Sequence, residues 1–261
     1  MAKRSTISQF FSGLGMYLRV PKTLSKHRLW AFQVLPALIS LVVSVLLFIG
    51  FYFAADGFSK WMDSLINIKI EWLDNAVTVT AAILSFVALV AGFIFVHKHL
   101  VLIILAPFLG KVAEETLKAV KGEAFVQSGL TMPQSVGRSA KINLRYVIRE
   151  LFINLAFLVG GLVIPLVGSI ISTVGMFVTQ SRFLGYGLMD FPLENRGLSV
   201  PESDKFVKSR SGMSIGLGAG YLILMMIPLV GWMFAPTFGT VAGTLKAIEE
   251  LELESCENLQ S

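Results

Sequence analysis

Four stretches of this chain carry no charged residue: Leu29 to Ala55, Asn75 to Val96, Leu151 to Ser181 and Ser211 to Leu245, of 27, 22, 31 and 35 residues. A helical crossing of a bilayer asks for about 20 apolar residues, and the core helices of soluble domains are rarely so long without charge. Composition agrees, with 54% of residues hydrophobic and 15% charged, where soluble domains are about a quarter charged. The chain therefore reads as an all-α integral membrane protein. The first run is longer than the apolar core of a signal peptide and lacks a small-residue cleavage site behind it, so it stays in the bilayer.

The first two runs match single crossings. The loop between them, Asp56 to Asp74, holds two of the 22 basic residues, whereas Lys22, Lys26, Arg28 and Lys98 stand on the opposite flanks. The positive-inside bias puts the loop outside and the flanks in the cytoplasm. The other two runs are too long to cross once: 31 residues of straight helix measure roughly 46 Å against a hydrocarbon core of about 30 Å. Each contains the pentapeptide Ile-Pro-Leu-Val-Gly, at 164–168 and 227–231. The proline breaks a helix there, and the glycine suits a tight turn. The arms so defined are 14 and 16 residues in the first run and 17 and 17 in the second.

If these runs crossed, the segment Arg182 to Arg210, with five basic residues, would lie outside. If they turn back, 20 of 22 basic residues share one side. The expected architecture is thus two long transmembrane helices plus two re-entrant, hemi-penetrating helical hairpins, with both termini cytoplasmic. Pro165, Gly168, Pro228 and Gly231 form the tips and are structural. Non-helical backbone at that depth must be buried by protein or line a wet path.

Amphipathic helices complete the picture. Ile7, Phe10, Phe11, Leu14, Tyr17 and Leu18 predict one apolar face lying at the interface. Arg138, Lys141, Arg145 and Arg149 predict a basic stripe that meets anionic lipid heads or forms an electropositive mouth for an anion. Gly212, Gly216 and Gly220, with Gly239 and Gly243, predict close contact of the second hairpin's arms or of two subunits. The same stretch, starting a half-helix beside Lys208 and Arg210, could instead hold an anion on its amides. Residues 1–247 read as one membrane domain and 248–261 as an acidic cytoplasmic tail.

Reactive chemistry is missing from the pattern. The lone Cys256 allows no intramolecular disulfide. Gly110-Lys111 lacks the remainder of a phosphate-binding loop. His97 and His99, two apart, face different ways and suit interfacial anchoring better than metal binding, and His27 between Lys26 and Arg28 suits a headgroup contact. No enzyme, cofactor, metal site or nucleic-acid partner is expected.

Four stretches resemble the family that contains the bacterial sulfate transporter CysZ and a eukaryotic etoposide-induced membrane protein. They are "APFLGKVAEE" (106–115), "MDFPLENRG" (189–197), "VIPLVG" (163–168) and "MIPLVGWMFAPTFGTVAGT" (226–244). The resemblance implies two spanning helices with two inserted hairpins, homo-oligomers, a bacterial inner membrane and uptake of sulfate. The family's Gly-Leu-Arg element falls where this chain has "HRLWAF", so Arg28 is near it without reproducing it. Arg28 and Arg149 are the first candidates to contact a sulfate or similar anion, followed by Lys208 and Arg210. Glu114, Glu150 and Asp190 are expected to pair with such arginines, to take up a proton, or to serve as interface salt bridges. The alternative to small-anion transport is a non-transporting membrane protein that organises bilayers or binds partners.

Overall fold

The computed structural model describes residues 5–65, 71–125, 131–163 and 167–258, with the backbone alone along 55–56, 58–65, 71–91, 158–159, 161–163, 167–169 and 254–258 and at 94, 124, 132, 136 and 143. Among them every regular element is helical: α1 (Thr6–Gly15), α2 (Val20–Lys26), α3 (Trp30–Leu65), α4 (Glu71–Lys121), α5 (Met132–Val163), α6 (Val167–Asn195), α7 (Val200–Ser209), α8 (Ser211–Met225) and α9 (Val230–Asn258). The all-helical expectation holds. Trp30–Ala54 in α3 is, among the described residues, the one helix long and apolar enough to cross a bilayer. Most side chains of the other expected span, Asn75 to Val96 in α4, lie outside the described residues.

Both proline-centred runs fold back on themselves. In the second, α8 ends at Met225 and α9 starts at Val230. Trp232 Nε1 donates to the Met225 carbonyl at 3.1 Å, and Gly239 meets Tyr221, so the arms are antiparallel. The turn departs from expectation in detail. Leu229, with φ of 60°, takes the left-handed conformation, while Gly231 is already helical. Gly231 is needed for a different reason: a Cβ there would sit 1.8 Å from the Leu224 carbonyl oxygen, so only glycine lets the arms separate this tightly. In the first run, Ser172 donates to the Phe157 carbonyl at 2.5 Å and Gly175 lies under the Phe157 ring. Pro165 lies outside the described residues, and Gly168 falls in the first turn of α6.

The glycine repeat of α8 does not serve the contact predicted for it. A Cβ at Gly212 or Gly216 would strike the Thr6 or Phe10 carbonyl of α1, and one at Gly218 the Ser181 carbonyl of α6. The stripe therefore seats α8 between α1 and α6 rather than against α9. Gly243 of the second arm lies over the Leu188 carbonyl of α6. This also rearranges the amphipathic helix α1. Its narrow side, Gln9 and Gly13, enters the groove with Met16 behind it, and the bulky Ile7, Phe11 and Leu18 are left facing outward.

Among the described residues, four prolines lie beyond the first turn of a helix: Pro36, Pro107, Pro192 and Pro236. A helical proline has no N–H for the carbonyl four residues earlier, and a buried carbonyl without a partner is costly. Pro236 leaves the Trp232 carbonyl in that position, and the Ser40 hydroxyl of α3 donates to it at 2.6 Å. One hydroxyl therefore joins α3 to α9 at the proline.

The acidic stretch after residue 247 continues α9 to Asn258. Glu249 is paired with Arg19 and Lys246, and Glu250 with Arg210 and Lys246.

Candidate functional site

Where the bases of the two hairpins meet, α5, α6, α7 and the start of α8 enclose a cleft of about 390 Å³. Arg149 comes from α5, Arg182 from α6 and Lys208 from α7, with Ser211 and Ser214 at the beginning of α8. Three cationic side chains thus face one carboxylate, Asp204. Tyr146 donates to Asp204 Oδ1 at 3.0 Å, and Lys208 to Oδ2 at 2.5 Å. Partial burial alone would raise the Asp204 pKa, but the hydrogen bonds from Lys208 and Tyr146 and the nearby Arg145 outweigh it and hold it below the ordinary aspartate value. The Tyr146 hydroxyl is pushed well up, first by burial and then by Tyr186 and Asp204, so it remains a donor. The Tyr146 ring packs on Tyr186 and Phe183 at 4.6 and 5.1 Å between centroids, which fixes the cleft wall. The α7 helix is held by a capping box, the Ser199 N–H and hydroxyl both donating to Glu202. Arg149, Arg182 and Lys208 are exposed, so their donors are open to a solute.

Two of the expected anion contacts, Arg149 and Lys208, are therefore brought together, and two are not. Arg210 lies 3.2 Å from Glu250 and stacks on Phe206 at 3.9 Å. Arg28 joins α2 to α3 with φ of 54° and lines neither this cleft nor the one described below.

The acids chose partners other than Arg28 and Arg149. Asp190 accepts from Arg138 at 2.8 and 3.2 Å, and Arg138 also reaches the Leu198 carbonyl, Ser203 and Glu194. Arg138 is thus withdrawn from the basic stripe as an internal pin. Its own charge is reinforced despite burial, because Asp190 and Glu194 face it. Burial pushes the Glu194 carboxyl up, beyond what Ser135 and Arg138 recover. Glu114 is shared by Lys111 and Lys118 at 3.1 and 2.5 Å on the α4 surface.

Glu150 turns away from Arg149, as consecutive helical residues must. It enters the interior, where Lys98 of α4 donates to it and His99 Nε2 lies 3.2 Å away; Gln180 of α6 accepts from Lys98 at 3.2 Å. Lys98 and Glu150 are both 0% exposed. Sequence reasoning missed this cluster by counting Lys98 among the cytoplasmic flanking charges and His99 as an anchor. The signal was present: a lysine with a 22-residue apolar run before it and "LVLIILAPFL" just after it must find a partner inside. His97 is likewise no anchor at a water-facing interface, being buried with Nε2 2.6 Å from the Ser44 hydroxyl.

A second cleft, of about 360 Å³, gathers Arg19, Lys22, Lys26, His27 and Lys121 opposite Glu249 and Glu252 of α9. Arg19 lies 2.5 Å from Glu249, and Lys121 is paired with Glu252. His27 thus lies in a basic cleft, in keeping with its neighbours in sequence.

The fold and cleft define a class: an all-helical protein with two helical hairpins built around two long helices and a cationic cleft at the hairpin bases. Residues 16–236 match the family described as sulfate transporter CysZ/etoposide-induced protein 2.4, and the chain belongs to that family. Relatives named sulfate transporter CysZ include one from Pseudomonas aeruginosa (strain LESB58), 26% identical over 228 residues, covering 85% of this chain and 88% of the relative. One from Pseudomonas fluorescens (strain Pf0-1) is 28% identical over 221 residues, covering 79% and 82%. One from Vibrio parahaemolyticus is 22% identical over 232 residues, covering 86% and 90%. The two family stretches at 106–115 and 189–197 touch each other: Asn195 donates to the Gly110 carbonyl at 3.0 Å, and Ala106, Leu109 and Ala113 share a core with Phe191.

Proposed function

We propose that this chain is a bacterial inner-membrane pathway for sulfate or a related small inorganic anion, moving it into the cell. The observation that carries the reading is the convergence of Arg149, Arg182 and Lys208 on one cleft. A dianion leaving water needs donors and positive charge in place of its hydration shell, held loosely enough to let it go. Two guanidinium groups and an ammonium supply both. Lys208 is tethered to Asp204, which limits how tightly the anion is held, and the start of α8 adds the favourable end of a helix dipole.

The membrane reading rests on large apolar side chains left exposed along α3 (Val34, Leu38, Val42, Leu46, Phe53), on the flank of the first hairpin (Phe152, Leu155, Ile170, Val174) and at the tip of the second (Met226, Ile227, Leu229, Val230). A water-soluble surface does not carry apolar patches of that extent. In this reading α3 and α4 cross the bilayer and both hairpins are re-entrant. At 15 residues, α8 reaches about 22 Å into a core of about 30 Å.

The test is uptake of labelled sulfate by proteoliposomes holding the purified chain, beside protein-free liposomes and the Arg149→Ala/Arg182→Ala variant. Uptake above the control that drops in the variant supports the reading; no uptake from folded protein sinks it. A second reading, a bilayer-organising protein, is favoured by the outward Ile7 and Phe11 of α1 and Leu18 just after it, next to the basic cleft of Lys22, Lys26 and His27. Stabilisation by anionic lipid without any sulfate flux would support it.

A further inference from the structure

One face of α3 contradicts the rest of that helix. Gln33, Ala37, Ser40 and Ser44 recur at spacings of four, three and four, which aligns them on one side, and all four are buried. The other side of α3 carries the exposed Val34, Leu38, Val42 and Leu46. Ser40 donates to the Trp232 carbonyl of α9, and Ser44 lies 2.6 Å from His97 Nε2 of α4. The face is therefore a polar seam between three helices.

Gln33 is the anomaly in this seam. It is 1% exposed, and among the described residues neither its amide nitrogen nor its amide oxygen has a hydrogen-bond partner. A buried amide left empty at both ends costs stability, so a glutamine is retained there for something that fills it. Pro36, one turn on, removes a donor from the same part of the helix and leaves the Phe32 carbonyl without its usual partner. Beyond Ser44 the polar character stops. Phe48, Phe93 and Trp232 meet with ring centroids 4.9 to 6.4 Å apart and close the seam.

We propose that the seam of Gln33, Ser40, Ser44 and His97 is the route by which the anion passes between α3, α4 and α9, shut here by the Phe48, Phe93 and Trp232 rings. The inference rests on the transport reading above and adds the path to it. The chemistry fits an oxyanion at one point above all: the Gln33 amide is an uncommitted neutral donor, which replaces water without the grip of a buried charge, whereas the Ser40 and Ser44 hydroxyls donate to the Trp232 and Ser40 carbonyls and would have to turn from them to serve a passing anion. Aromatic closure of a polar path blocks ions by excluding water until the rings part. Neither the cationic cleft nor the Lys98–Glu150 cluster supplies any of these residues.

Gln33→Leu provides the test, because an apolar side chain of similar bulk separates the two explanations of an unpartnered amide. In proteoliposomes, sulfate uptake by Gln33→Leu should fall about tenfold or more, the size of one hydrogen bond to a charged group, while its melting temperature stays level or rises. Equal uptake by variant and wild type overturns the route and leaves transport standing. No uptake by wild type overturns transport itself, and the route with it. A second measurement does not depend on that variant. Single cysteines at Ser40, Ser44 and Leu38, in a Cys256→Ser chain, are exposed to a small anionic thiosulfonate in proteoliposomes. Modification at 40 and 44 that is faster than at the outward-facing 38, and slowed by sulfate, is expected; equal rates at all three overturn the proposal.

Discussion

The two hairpins share a pentapeptide and are held in place by opposite means. In the second, α8 is buried along most of its length: glycines at 212, 216 and 218 bring its backbone against α1 and α6, and Leu217, Tyr221 and Met225 fill the core beside them. In the first, the arms keep large apolar residues facing outward, and the base is pinned to α4 through Lys98, His99 and Glu150. In the membrane setting proposed above, hydrophobic drive between helices is weak, and close backbone contact and buried polar pairing are two ways to fix a helix; the second hairpin relies on the former and the first hairpin on the latter.

Breaking the ionic pin should have the largest effect. Lys98→Met leaves Glu150 buried without its main partner and should cost about 3–5 kcal/mol, read as a lowered melting temperature in detergent. The double variant Lys98→Met/Glu150→Leu should recover most of it, and failure to recover would mean that the pair also positions the hairpin. Gly216→Val should cost about 3 kcal/mol, because its Cβ has no space beside the Phe10 carbonyl. Ser40→Ala should cost about 1–3 kcal/mol by stranding the Trp232 carbonyl. Adding Pro236→Ala, which restores an N–H to that carbonyl, should reverse the loss.

Two smaller effects sharpen the contrast. Asp204 is held below its ordinary value, so its stabilisation is full above that value and disappears as pH falls through the depressed one. Thermal stability should therefore drop less steeply on the acid side in Asp204→Asn than in wild type. Gly160→Ala in the first hairpin meets no atom within 4 Å. It should stabilise by about 0.5–1 kcal/mol, the usual gain of alanine over glycine in a helix, where Gly216→Ala in the second hairpin should destabilise.

Charge-free runs and a repeated proline were enough to foresee helices and two reversals of the chain, because helix length and the missing proline N–H are local matters. The basic residues at the hairpin bases could be named for the same reason, and Arg149 and Lys208 do face one cleft. Partner choice was not local. Nothing in the order of residues says that Glu150 meets Lys98 rather than an arginine, that Asp190 withdraws Arg138, or that the glycines of α8 serve α1 and α6. Those outcomes depend on which helix lies opposite, and that is decided when all the helices compete for the same buried space.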